Sequence, residues 1–246
     1  MIRRIRLAVF VPSLAVFAAL LVWGLVGLPD FGDYVGPYGY LLDKVAVPER
    51  HMTNVVTAVV FDYRGFDTLG EEFILFAAVV GVVLLLRGEA RPEQENIHDS
   101  IGSDMVRVVG VLSVGAAFLI GLWIVAFGFV TPGGGFQGGV VLAGAALLVL
   151  LVSSYGDWEP IGSEHVLDPL EGLGAGGFVI VGLAALISGL PFLTNLLGPG
   201  IPGTLQSGGS AVFVNWATAL EVAAALLVLF SEFLEEYVVP IGGEGS

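Results

Sequence analysis

The chain reads as an all-α polytopic membrane protein with about six transmembrane helices of ~20 residues or more and both termini in the cytoplasm. Three observations carry that reading. Of its 246 residues, 56% are hydrophobic and 13% are charged, and the mean hydropathy is +0.90; a soluble domain of this length is far less apolar. Two runs, Val108–Gly156 and Gly172–Leu220, contain no charged residue. Each is roughly twice the ~20 residues of a membrane helix and is broken midway by turn residues, so each is two helices. Basic residues set the orientation. With the N-terminus inside, Arg3, Arg4, Arg6, Arg87, Arg91 and Arg107 fall inside, and Lys44, Arg50 and Arg64 fall outside.

The elements follow in order. The Leu7–Pro29 run after Met1-Ile2-Arg3-Arg4-Ile5-Arg6 is too long for a signal core and has no small-x-small cleavage site, which predicts a retained first helix over Ile5–Leu28. A polar connection, Pro29–Arg50, comes next. Met52–Phe61 is apolar but too short to span; it either lies in the interface or dips in and returns. The second helix is expected over Thr68–Leu86, with Thr68 and Glu71 as a capping box and Arg87 at its negative C-terminal end. Gly88–Asp104 is a polar connection. The third helix covers Met105–Val130, Thr131-Pro132-Gly133-Gly134-Gly135 turns the chain, and the fourth covers Phe136–Ser153. After the acidic connection Ser154–Leu167, Asp168-Pro169-Leu170-Glu171 reads as a cap on a fifth helix running to Thr194 and kinked at Pro191. The Gly/Pro-rich loop Leu197–Ser210 leads to the sixth, Ala211–Phe233. Gly135 with Gly139, and Gly172 with Gly176, have the spacing that lets membrane helices approach closely.

Composition excludes several functions. With no cysteine, disulfides, thiolate iron–sulfur ligation and catalytic thiols are ruled out. His51, His98 and His165 are far apart in polar connections and form no metal-ligand pattern, so neither metal nor cofactor is expected. The net charge of −14 with no basic patch argues against nucleic acid. It fits either a solvated acidic face or adaptation to high salt, where self-repulsion is better screened.

The candidate functional residues are the ionisable groups next to or inside apolar spans, where charge is expensive and marks an ion or proton route or a protein–protein seam. Asp62, Arg64, Asp67, Glu71 and Glu72 run directly into the second helix. Asp67 and Glu71 share a helix face and repel one another; a proton, a sodium ion or Arg64 relieves that. Otherwise Glu71 only caps the helix, and Asp62 and Arg64 stay wet. Glu221 sits near the middle of the sixth helix, in a polar stripe with Asn215 and Thr218. It reads as a proton or cation relay, or as a group that hydrogen-bonds a neighbouring helix. Gln137 and the glycine-loop amides either line a cavity mouth or belong to a plain hairpin turn.

The stretch Asn54-Val55-Val56 through Asp62-Tyr63-Arg64-Gly65-Phe66-Asp67-Thr68-Leu69-Gly70-Glu71 resembles the C-terminal part of the A-type protein of the multisubunit Mrp sodium/proton antiporters. It is also similar to a small component of the related membrane-bound hydrogenases. Residues from about Asp104 onward resemble the B-type, MnhB-like protein of the same antiporters. That likeness rests on Pro132-Gly133-Gly134-Gly135-Phe136-Gln137-Gly138-Gly139 and Asn215-Trp216-Ala217-Thr218-Ala219-Leu220-Glu221-Val222.

The resemblance implies two fused modules, 1–103 and 104–246, in a multi-pass subunit of the cytoplasmic membrane. It also implies other antiporter subunits as partners, Na+ and H+ as transported ions, and no enzymatic activity of its own. The family links the acids of the Asp-Thr-Leu-Gly-Glu motif to ion transport, which implies that role for Asp67 and Glu71. A histidine common before the Pro-Gly-Gly-Gly-Phe run is absent, since that stretch is Phe129-Val130-Thr131. The expected ion stations are Asp67, Glu71 and Glu221, supported by Asp62, Arg64, Glu72, Asn215, Thr218 and Gln137. The alternatives are the membrane arm of a hydrogenase-like or other respiratory oxidoreductase, and a purely structural scaffold.

Overall fold

The computed structural model describes residues 2–28, 32, 36–87, 103–153 and 155–238. The elements are α1 (Ile2–Val26), α2 (Pro37–Arg50), α3 (Val55–Ala58), a π turn (Val59–Tyr63), α4 (Gly65–Leu86), α5 (Asp104–Ala126), α6 (Gly135–Val152), α7 (Tyr155–Gly162), α8 (Glu164–Ile187) and α9 (Ala211–Val238). Five segments are long and apolar enough to cross a membrane: Gly65–Leu86, Asp104–Ala126, Gly135–Val152, Gly156–Ile187 and Ala211–Leu234. The first expected span corresponds to α1, whose apolar stretch, Phe10–Val26, is shorter. The expected connection over 88–104 lies largely outside the described residues, as do His98 and the side chains of Glu235, Glu236 and Glu244.

The chain divides into two compact units, residues 1–41 and 42–246. In the first, α1 carries Pro12 and exposes Phe10, Leu14, Phe17, Leu21 and Trp23, an apolar surface suited to lipid rather than water. In the second, α4, α6 and α8 pack against α9, and α5 packs against α6. The burial patterns of the two helices at the site differ accordingly. On α4 the buried positions Gly65, Thr68, Leu69, Glu72 and Val79 recur every three or four residues or multiples of that, one stripe facing the bundle. On α9 most positions over Val214–Glu232 are buried or half-buried, because helices pack on several of its faces.

Glycines set the helix spacings. A Cβ on Gly135 would lie 2.8 Å from the Thr218 Cβ, and one on Gly139 would lie 2.8 Å from the Ala219 carbonyl oxygen. The spacing of four therefore seats α6 on α9, running the same way. One residue round the helix, a Cβ on Gly138 would meet the Gly121 carbonyl oxygen at 3.0 Å, so the other face of α6 seats α5. Gly172 and Gly176 make no such approach within this chain: an added Cβ at either meets nothing within 4 Å among the described residues. The glycines facing α9 from α8 are Gly174, against Glu221, and Gly177, 3.2 Å from the Ala217 Cβ. Those pairs make α8 antiparallel to α9.

The two sequence motifs meet each other. The turn between α5 and α6 places Gly133 and Gly134 at φ +144° and +147°, a conformation that side chains resist. It turns several carbonyls toward the start of α3. Asn54 Nδ2 donates to the carbonyls of Gly128 (2.7 Å), Thr131 (3.0 Å) and Gly133 (3.3 Å), while its Oδ1 accepts from the Val56 and Thr57 amides. The Thr57 hydroxyl adds a 2.6 Å bond to Gly128 O. One asparagine thus caps α3 and closes the glycine turn.

Elsewhere the elements depart from expectation. Part of the connection predicted over Pro29–Arg50 is the helix α2, and Tyr155–Gly162 within the acidic connection is α7. The fifth long helix begins at Glu164 and leaves Pro169 inside it, so Asp168 is no cap. It ends at Ile187, with Gly189 at φ +77° as the stop; Pro191 lies beyond it and kinks nothing. The capping box fails too, because α4 starts a turn earlier, at Gly65. The Thr68 hydroxyl instead donates to the Val60 carbonyl at 2.6 Å, inside the π turn, whose i→i+5 pairing (Arg64 N to Val59 O, 2.8 Å) shifts the backbone ladder. Thr68→Val removes that bond at a residue that is 2% exposed. It should cost about 1–3 kcal/mol, read as a lower thermal midpoint of the purified assembly; an unchanged midpoint would mean water replaces the hydroxyl.

Candidate functional site: buried acids between three helices

The packing of α4, α8 and α9 brings three glutamates out of water. Glu221 is 0% exposed, Glu72 is 1% and Glu171 is 5%. Glu221 lies ten residues into α9, about 15 Å along its axis, near the middle of a ~30 Å apolar slab. Glu72 interacts with it from α4, beside Thr218. Both carboxylate oxygens of Glu72 and of Glu221, Oε1 of Glu171 and the Thr218 hydroxyl are buried without a well-formed hydrogen bond among the described residues. Buried polar groups are almost always bonded, so this concentration of exceptions marks the site. Negative charge held there requires a proton or a cation brought from outside.

Asn215 plays a different part. Its Oδ1 accepts from the Gly135 amide at 2.7 Å, and its Nδ2 donates to the Val125 carbonyl at 2.9 Å. It therefore holds the start of α6 and the end of α5 against α9, with both ends of its amide engaged in packing the helices.

Glu171 connects the glutamate pair to a charged cluster. It interacts with Glu221 on one side and with Asp168 and Arg87 on the other. Arg87, one residue past α4, grips Asp168 with both terminal nitrogens (2.6 and 3.0 Å), Glu232 through Nε (2.5 Å) and Glu164 at 3.5 Å. Glu164, Asp168 and Glu171 fall at i, i+4 and i+7 on one face of α8. The result is a series of ionisable groups from mid-helix to the helix ends.

At the opposite end of α4 is a second charged group. Asp62 pairs with Arg50 at 3.0 Å, whose guanidinium lies 4.7 Å over the Tyr63 ring, and the Tyr63 hydroxyl donates to Glu49 at 2.6 Å. Burial pushes the Asp62 carboxyl above its ordinary value, with Arg50 and Asn195 pulling it back. Burial and the acceptor Glu49 push the Tyr63 phenol up to about 12, because each favours the neutral form.

The structure sorts the expected residues. It unites Glu221, Thr218 and Glu72. Asp67 and Glu71 share a face as expected, but it is the exposed face of α4 within this chain, and Asp67 is ion-paired with Arg64. Glu72, expected only in support, is the one turned inward. Gln137 is exposed in the first turn of α6. No group of acids and histidines suited to a metal centre occurs among the described residues. Sequence reasoning missed Glu171, Arg87, Asp168 and Glu232 as members of one line. The signal was there, in acids at i, i+4 and i+7 of an apolar helix and an arginine at the end of another.

Comparisons with known proteins show the family and the fold. Residues 105–228 match the family described as a domain related to the MnhB subunit of Na+/H+ antiporter, and residues 2–103 match the MbhE family, described as the E component of MBH. The chain is 32% identical over 209 residues to the uncharacterized protein MJ1307 of Methanocaldococcus jannaschii, covering 75% of this chain and 78% of that protein. It is 29% identical over 188 residues to a protein of Rhizobium meliloti named as a probable K+/H+ antiporter component of A/B type, covering 63% of this chain but 18% of that longer protein. Among solved structures, a chain of the membrane-bound sulfane sulfur reductase, an archaeal respiratory membrane complex, matches with TM-score 0.70 and 30% identity over 95% of this chain and 99% of its own. A chain of the Mrp complex from Dietzia sp. DQ12-45-1b matches with TM-score 0.69 and 18% identity over 97% of this chain and 26% of its own, a likeness of fold.

Proposed function

Because the chain belongs to the family of domains related to the MnhB subunit of Na+/H+ antiporters, we propose that it lines part of the ion route in a monovalent cation/proton antiporter. It is a multi-pass membrane protein and a subunit of a heteromeric complex. The observation that carries the proposal is the group of buried carboxyls at Glu72, Glu171 and Glu221 whose oxygens lack well-formed hydrogen bonds, in helices long and apolar enough to cross a membrane. Structural glue would bond its polar atoms well; five of these carboxyl oxygens lack a well-formed hydrogen bond among the described residues.

In this reading Glu72 and Glu221 form the mid-membrane station, with Glu171 leading to the Arg87 cluster on the cytoplasmic side. Asp67 and Glu71, on the exposed face of α4, are stations completed by a neighbouring subunit that covers them, with Asp62 and Arg64 at the entrance. The two modules, 1–103 and 104–246, serve assembly and ion passage together, and the chain has no catalytic centre of its own. Each charge moved down the membrane potential supplies about 2.3 kcal/mol per 100 mV.

The test is Na+/H+ exchange in vesicles carrying the whole complex. Glu221→Gln and Glu72→Gln, in complexes that assemble normally, should each lower the rate about tenfold or more, as losing about 1.4 kcal/mol from the limiting barrier requires. Full exchange in both variants would leave the chain as a scaffold.

A second reading has its own support: the 30% identical match spans nearly the whole length of a chain from a respiratory complex. There the same protein would sit in the membrane arm of an oxidoreductase. Co-purification decides between the two: further antiporter subunits favour the first, and subunits bearing metal centres favour the second.

A further inference from the structure

Glu72 of α4 interacts with Glu221 and Thr218 of α9, and five of their oxygens are buried without a well-formed hydrogen bond among the described residues: Oε1 and Oε2 of Glu72, Oε1 and Oε2 of Glu221, and Oγ1 of Thr218. We propose that Glu72, Thr218 and Glu221 form a binding site for one dehydrated alkali cation, Na+ in preference to K+, which exchanges there with a proton. The inference rests on the antiporter reading and deepens it by naming what these acids hold.

Thr218 distinguishes a cation site from a simple proton relay. It is 0% exposed, sits one turn before Glu221 on the same face of α9, and lies beside the Glu72 carboxyl. A hydroxyl can donate to one carboxylate oxygen and still offer lone pairs to an ion. Asn215, the other polar residue of the stripe, has both ends of its amide occupied, so it does not compete. Gly135 and Gly139 bring the α6 backbone close to α9 without adding a side chain of their own. Carboxylate and hydroxyl oxygens are the ligands that hard cations select, and five of them make a small shell that suits Na+ better than the larger K+.

Charge balance points the same way. Among the described residues, Glu71 of α4 and Glu171 of α8, both acidic, act electrostatically on the pair. The glutamate pair carries two potential negative charges, so one Na+ and one proton, or two protons, leave it neutral. Exchanging one Na+ for one proton therefore moves no net charge into or out of the bundle, and avoids the large penalty of burying an uncompensated ion.

The test measures occupancy apart from transport. An apolar carbodiimide, which modifies protonated carboxyls, is applied to the whole complex in detergent, and labelling of Glu72 and Glu221 is followed by peptide mass spectrometry. NaCl should slow labelling severalfold relative to choline chloride at equal ionic strength, with KCl much weaker. Thr218→Val should raise the Na+ concentration for half-protection about tenfold, the effect of one lost ligand, while Thr218→Ser retains it; Glu72→Gln should remove Na+ protection at Glu221. The proposal is overturned by labelling indifferent to Na+, by equal protection from choline or K+, by unchanged protection in Thr218→Val, or by no labelling at either glutamate. Exchange in vesicles without Na+ protection sinks the site and leaves the antiporter reading standing. Protection without exchange does the reverse.

Discussion

Arg87→Met should destabilise the protein by about 3 kcal/mol, the lower end of what breaking a buried ion pair costs, and so shift a folding equilibrium more than a hundredfold. The size follows from where its partners lie. Asp168 and Glu164 keep 44% and 37% of their side-chain surface in contact with solvent, and water rescues them when the arginine goes, so they contribute little. Glu232 is 4% exposed and has no such recourse. Methionine preserves much of the volume of the side chain but removes the guanidinium that Glu232 faces. Arg87→Lys keeps the charge and loses the two-point grip on Asp168, so it should fall between the two. The thermal midpoint of the detergent-solubilised complex reads the series. If methionine melts with the native protein, the Arg87 cluster is a surface feature and the line of acids has no anchor at that end.

How far the sequence revealed this arrangement depended on whether a feature was a property of one helix or of two. The apolar runs of α4, α5, α6 and α9 announce themselves because length and hydropathy suffice. The helix α2, Pro37–Arg50, does not: Asp43, Lys44, Pro48 and Glu49 give it neither a hydrophobic run nor a clean periodicity. Glu221 stands out as a lone acid in mid-span. Its partner could not be chosen from sequence, because Glu71 and Glu72 are adjacent and point about 100° apart round the helix. Only the face on which α4 meets α9 decides that Glu72 turns inward. The same ambiguity covers the glycines of α8. Gly172, Gly174, Gly176 and Gly177 supply several small-residue spacings, and nothing local says which one faces a neighbour. The Asn54 contact with the glycine turn was hidden for a related reason: both motifs were visible, but a contact 74 to 79 residues apart along the chain leaves no trace in either one.

Those glycines yield a prediction in which two neighbouring substitutions have opposite signs. Gly172→Ala places a methyl in open space on α8 and replaces the poorest helix former after proline with the best, so it should stabilise by up to about 1 kcal/mol. Gly174→Ala places the same methyl 2.6 Å from both the Cα and the Cβ of Glu221. Backbone cannot step aside as a flexible side-chain tip can, so α8 and α9 must separate. Overpacking of this kind costs about 1–3 kcal/mol even where side chains can yield, and a collision with main chain belongs at the upper end. The separation would fall at the residue that holds Glu221 in place, so Gly174→Ala should lower cation exchange along with the melting midpoint, while Gly172→Ala leaves exchange intact. Melting curves of the two variants beside the native complex, with exchange measured on the same preparations, test both parts. Matching midpoints for the two alanines would mean that α8 presents a different face to α9, and with it the seat of Glu221 would be lost.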